Sequence, residues 1–93
     1  MRRRYRVIDP SGLHARPAAE FVRAVAQFAG AVRIESGDKH ANAKSILQVM
    51  ALGVRAHDVV VVDFGDAAEN DVGGFEQRVH ALLEPEEAWT NNC

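Results

Sequence analysis

His14 is the side chain with the most chemical potential in this chain, because its next neighbours are Ala15, Arg16, Pro17 and Ala18. A neutral imidazole keeps one ring nitrogen with a free lone pair and can act as a nucleophile. Pro17 is preorganised for the first turn of a helix, so His14 stands beside the unpaired N–H groups of a helix start. Such a start favours anions by about 0.3–1 kcal/mol at exposed sites. Arg16 keeps its charge and can grip two oxygens of a phosphoryl group at once. The combination suits reversible capture of a phosphoryl group. A lone histidine at a helix start is nonetheless more often a cap or a solvated residue, so the local chemistry leaves both readings open.

A second hydroxyl-bearing site lies further along. Ser45 precedes Gln48 by three residues, the capping-box spacing in which each side chain accepts from the other's backbone N–H. Ser45 is therefore expected to cap a short helix from Ile46 to about Leu52, ended by Gly53, for typically ~1 kcal/mol. This helix is apolar almost all round, with Ile46, Leu47, Val49, Met50 and Leu52. So short an element cannot bury every side. About half of the cluster is expected in the core, while Leu47, with Ile46 or Met50, is expected to contact partners and Arg23 to add a charged rim. His40, His57 and His80 have no metal-ligand spacing, and the single cysteine, Cys93, cannot form an intrachain disulfide. No metal and no cofactor are expected.

The elements that must hold these residues can be read from periodicity. Tyr5 to Ile8 is rich in β-formers, with Tyr5 and Val7 on one face, and Asp9-Pro10-Ser11-Gly12 breaks it. From Pro17, the residues Ala18, Phe21, Val22, Val25 and Phe28 recur at helical spacing, with Gly30 as a stop. Val32 and Ile34 alternate with charged residues, Ser36-Gly37-Asp38 makes a turn, and a weak return strand follows over residues 40–43. Val59 to Val62 is a continuous β-branched run expected centrally in a sheet. Val72, Phe75, Val79, Leu82 and Leu83 follow helical spacing up to Pro85, and Gly73-Gly74 should weaken the first turn so that the helix tightens from Phe75. The order is βαββαβα. It suits an α+β open-faced sandwich, a four-stranded antiparallel sheet covered on one face by three helices.

Composition narrows the function classes. A chain of 93 residues, 47% hydrophobic and 26% charged, can build one core; one domain over residues 1–84 with a tail over 85–93 is expected. A net charge of -2 disfavours a binder of nucleic-acid backbones, which needs a basic surplus. The run Arg2-Arg3-Arg4 reads as a solvated strand start, balanced by an acidic C-terminal third. A plain RNA-binding module would need exposed aromatics on its sheet, and the few aromatics here mostly fall at core-phase positions. No apolar stretch approaches a membrane span and no signal peptide is evident, so a cytoplasmic location is expected.

The segment Gly12-Leu13-His14-Ala15-Arg16-Pro17-Ala18 resembles the active-site motif of the histidine-containing phosphocarrier family, HPr, of the phosphoenolpyruvate-dependent sugar phosphotransferase system. The segment from Asn42 to Val54 resembles that family's regulatory serine and the helix after it, and the similarity runs from about Tyr5 to Leu83. The resemblance implies that His14 accepts phosphate on Nδ1 from phosphorylated enzyme I and passes it to enzyme IIA domains of sugar permeases. Arg16 carries over as the phosphate-stabilising residue and Ser11 as a hydrogen-bonding neighbour. Ser45 carries over as a residue that, in some lineages, HPr kinase/phosphorylase modifies, making a corepressor for a catabolite-control repressor. Ala15, Arg23, Ile46, Leu47 and Met50 become the expected docking residues. The resemblance implies a monomeric carrier, not itself an enzyme, acting in transport or, alternatively, chiefly in regulation.

Overall fold

The computed structural model describes residues 1–86. Its elements are β1 (Arg2–Val7), α1 (Arg16–Val25), β2 (Arg33–Ser36), β3 (Lys39–Asn42), α2 (Ile46–Ala51), β4 (Val59–Asp63), α3 (Glu69–Arg78) and β5 (Leu83–Pro85). The strands form one antiparallel sheet in the order β3-β2-β4-β1-β5, an open-faced sandwich with one strand more than the four expected.

The valine run earns its central place. Val60 and Val62 are fully buried against the helices, while Val59 and Val61 are half-buried on the outer face, so β4 is at least partly shielded from water on both sides. In β1, Tyr5 and Val7 share the inner face and are buried. Phe75 of α3 is the hub of the core: the rings of Tyr5, Phe21, Phe28 and Phe64 meet it with centroids 5.2–6.2 Å apart, mostly edge-to-face. Such pairs contribute about 0.5–1.5 kcal/mol each beyond the area they bury.

Two helices differ from the periodic reading. Helix α1 stops at Val25, although Phe28 is still buried; the chain keeps Phe28 in the core from a turn, where periodicity counted it as helix. Helix α3 begins at Glu69 rather than tightening from Phe75, with Gly73 and Gly74 inside it, and it ends at Arg78. Glu69 and Asp71 in the first turn favour the positive end of the helix dipole, which helps the start survive two glycines. Leu82 and Leu83 are buried as the apolar pattern required, but Leu83 does so from a strand that pairs with Val7. Sheet pairing continues past Glu84, where a tail was expected to begin: Pro85 is opposite Tyr5, and the Glu86 N–H donates to the Arg4 carbonyl at 2.9 Å. Cys93 and the rest of that tail lie outside the described residues.

The outer face of the sheet is charged. Arg2 makes a two-pronged contact with Glu35 at 2.9 and 3.0 Å and approaches Asp63 at 3.5 Å. Arg4 and Arg6 share Glu86. Arg3 instead points to the helix side, where it meets Glu76, and the Tyr5 hydroxyl donates to the same carboxylate at 2.7 Å. The hydrogen bond from Arg2 is the main reason the Glu35 carboxyl is held below its ordinary range. Asp63 is also lowered, chiefly by the Gly65 N–H at 2.9 Å, with Arg2 adding to it.

Candidate functional site

Between β1 and α1 the chain is tied down at nearly every residue up to His14 and then released. Asp9 accepts from the Ser11 N–H through its side chain at 2.8 Å and from the Gly12 N–H through its carbonyl at 2.9 Å, a side-chain-closed turn of the kind aspartate favours. The Leu13 N–H donates to the Val54 carbonyl at 3.2 Å, and the Leu13 side chain is buried. Gly12 has φ +65, and a Cβ there would stand 2.3 Å from the Val54 carbonyl oxygen and 2.8 Å from Arg55 Cα. Only glycine lets the two loops close to this distance.

His14 comes next as an exposed side chain. Ala15 then takes φ 58 and ψ -120, an unusual conformation for a residue with a Cβ, of the kind that costs about 1–3 kcal/mol and persists when its surroundings over-determine it. Here those surroundings are the buried Leu13 on one side and the buried Pro17 and Ala18 on the other. The Ala15 N–H has only the Met50 thioether at 3.5 Å as acceptor among the described residues, a weak partner. The Ala15 carbonyl accepts from Ala19 at 3.1 Å and so starts α1. The N–H groups of Arg16 and Ala18 in the first turn have no acceptor within the helix, as at any helix start, and Pro17 has none to satisfy. Arg16 is exposed, and its guanidinium forms no ion pair among the described residues. The site thus presents an exposed imidazole, under-used backbone donors and an exposed cation.

The expected site residues fall into two groups. Ser11, His14 and Met50 line one shallow groove, together with Arg55, which was not among the expected residues; Ala15 is joined to the groove through Met50, and Arg16 is next in the chain. Arg23 lies two turns beyond Arg16 on the same face of α1 and is exposed. On α2, Leu47 is 73% exposed and Ile46 37%, while Val49 and Leu52 are buried and Met50 is half-buried, which divides the apolar cluster between core and surface. Ser45 sits at the opposite end of α2 from Met50. Its Oγ accepts from the Gln48 N–H at 3.3 Å, as expected of a cap, but the reciprocal half of the capping box is redirected: Gln48 Oε1 accepts from Asn42 N–H at 3.0 Å. The cause is that the Ser45 N–H is already engaged by the Asn42 carbonyl at 3.0 Å.

Sequence patterns did not point to Arg55 or to the Gly12 contact. Both arise from loops roughly 40 residues apart in the chain meeting edge to edge, and no local pattern encodes that meeting. Among the described residues no group of three or more His, Cys, Asp or Glu side chains could hold a metal ion, and no helix is long and apolar enough to cross a membrane.

Residues 1–81 match the family model described as PTS HPr component phosphorylation site. The chain is 47% identical over 51 residues to the phosphocarrier protein HPr of Lysinibacillus sphaericus, covering 55% of this chain and 58% of that protein. It is 35% identical over 75 residues to a multiphosphoryl transfer protein of Xanthomonas campestris pv. campestris, covering 81% of this chain but 9% of that much longer protein. A phosphoryl donor subunit of a PEP-dependent dihydroxyacetone kinase from Providencia stuartii is 38% identical over 72 residues, 76% of this chain and 15% of that one. The chain therefore spans less than two thirds of each of these relatives. Among solved structures, HPr-C-His from Thermoanaerobacter tengcongensis superposes with a TM-score of 0.76 at 32% identity, covering 87% of this chain and 92% of that one. The phosphocarrier HPr of Bacillus anthracis superposes at 0.71 with 32% identity, covering 85% and 95%. With its fold, its exposed histidine at a helix start and these relatives in agreement, the chain belongs to the HPr family of phosphocarrier proteins, which are not themselves enzymes.

Proposed function

We propose that this protein carries a phosphoryl group on His14, receiving it from phosphorylated enzyme I and giving it to enzyme IIA domains of sugar permeases in the cytoplasm. The observation that carries the reading is the pairing of an exposed imidazole with an exposed arginine, Arg16, at the start of α1 in a chain of this family. In the forward step a lone pair of the imidazole attacks phosphorus, a new P–N bond forms, and the donor's bond to phosphorus breaks, leaving its electron pair on the donor. The second step reverses these roles with the acceptor as nucleophile. Arg16 offers two N–H groups to the phosphoryl oxygens, and the first-turn backbone donors add to it; Ser11, in the same groove, supplies a further hydroxyl. The exposed Leu47 and Ile46, with Arg23 as a rim, give partner proteins an apolar patch beside the histidine.

Ser45 is the proposed regulatory site. Phosphorylation there would place about two negative charges at the edge of the docking patch and leave the core of the domain untouched. Incubation with phosphoenolpyruvate and enzyme I, followed by intact mass measurement, tests the main reading. A single acid-labile phosphate absent from His14→Ala supports it; no adduct, or equal labelling of His14→Ala, overturns it.

A further inference from the structure

The groove that His14 lines also carries an arginine from a distant loop. Arg55 comes from the loop between α2 and β4, yet it lines the same depression as His14 and Ser11. Its backbone is fixed from several directions. The Arg55 N–H donates to Asp58 Oδ2 at 2.9 Å, the Asp58 N–H returns to the Arg55 carbonyl at 3.1 Å, and the His57 N–H donates to the Val7 carbonyl at 2.7 Å. His57 itself takes φ 78, so the loop is bent in a way its own residues would not choose. The Leu13–Val54 hydrogen bond and the glycine-only approach of Gly12 to Arg55 Cα then lock this loop against the one bearing His14. Asp58 engages the Arg55 backbone, and the exposed guanidinium has no ion pair among the described residues.

A phosphoryl group brings up to about two negative charges, more than one arginine balances, and Arg55 is the additional cation that the fold places in its groove. We infer that Arg55 is a phosphate-binding residue, donating N–H groups to the phosphoryl oxygens on His14 and stabilising the phosphorylated state of the carrier. The inference rests on the proposed role of His14. Bond making and breaking are unchanged, since Arg55 keeps its protons and supplies only charge and hydrogen bonds.

The test compares wild-type protein, Arg55→Gln and Arg55→Lys, with thermal melts establishing that each is folded. Each is brought to equilibrium with enzyme I at set ratios of phosphoenolpyruvate to pyruvate. The fraction phosphorylated and the 31P resonance of the phosphohistidine are then read. Arg55→Gln should lower the phosphorylation equilibrium constant about twofold to fivefold, the range of an exposed charge pair, and move the 31P resonance, with Arg55→Lys recovering part of both. An unchanged equilibrium and resonance would overturn the inference, including the case where only the initial transfer rate changes, which would make Arg55 a docking residue. A wild-type protein that takes no phosphate on His14 would instead overturn the carrier reading, and this inference with it.

Discussion

Arginines stand in two opposite electrostatic settings in this molecule. Along β1, each of Arg2, Arg3, Arg4 and Arg6 meets a carboxylate, drawn from Glu35, Asp63, Glu76 and Glu86. Around His14, Arg16, Arg23 and Arg55 are exposed and form no ion pair among the described residues. The first set cancels its own charge and ties strands to each other and to α3. The second leaves its charge available to an incoming anion. Residue type is the same in both regions; what differs is whether a neighbouring element supplies the counter-charge.

Substitutions can break that contrast, and the largest effect should come at His14. His14→Ala is expected to abolish labelling by enzyme I while the melting temperature stays unchanged, because the side chain is exposed; labelling at the wild-type level would end the carrier reading. Arg16→Ala should slow phosphoryl transfer by about tenfold or more, since a charge-assisted hydrogen bond contributes roughly 1.5–3 kcal/mol, and single-turnover rates would measure it. Gly12→Ala attacks the junction between loops instead of the chemistry. The left-handed φ and the clash with the Val54 carbonyl should together cost ~2 kcal/mol or more in denaturant unfolding, with slower transfer arising from a displaced His14 loop.

Smaller effects sharpen the other side of the comparison. Ser45→Ala should lose about 1 kcal/mol of cap stability, whereas Ser45→Asp should keep the cap and weaken docking, raising the apparent dissociation constant for enzyme I. An unchanged constant in the aspartate variant would argue against docking beside Leu47. Glu35→Gln removes the nearer of the two carboxylate partners of Arg2 and should leave His14 labelling untouched. Glu35 and Asp63 are both held below the ordinary carboxylate range in the folded protein. Their contribution is therefore present above the unfolded-state values near pH ~4 and is lost as pH falls through the lower folded-state values. Glu35→Gln should flatten part of that acid arm in a series of melts against pH, and high salt should shrink the difference further because the pair is exposed.

Much of the fold is legible in local sequence patterns. The inner-face pair Tyr5 and Val7, the valine run of β4, and the cap at Ser45 each come from a local rule of alternation, β-branching or side-chain reach. The departures share one cause. Phe28 and Leu83 are apolar at helical spacing and are buried as that spacing demands, but burial can be met from a turn or from a strand, and periodicity cannot distinguish these. Gly73 and Gly74 lower helix propensity by about 1 kcal/mol each, yet packing of Val72 and Phe75 on either side of them outweighs it.

The sequence by itself determined the placement of His14 at a helix start, the arginine two residues on, the helix that presents both, and the amphipathic pattern that divides core from surface. These are properties of residues within a few positions of one another, where covalent geometry and hydrogen-bond periodicity leave few choices. The fifth strand, the matching of β1 arginines to distant carboxylates, and the meeting of Gly12 with Val54 and Arg55 were decided only by the tertiary structure. Each joins segments far apart in the chain, and such contacts form only where the packing of a whole core places two backbones side by side.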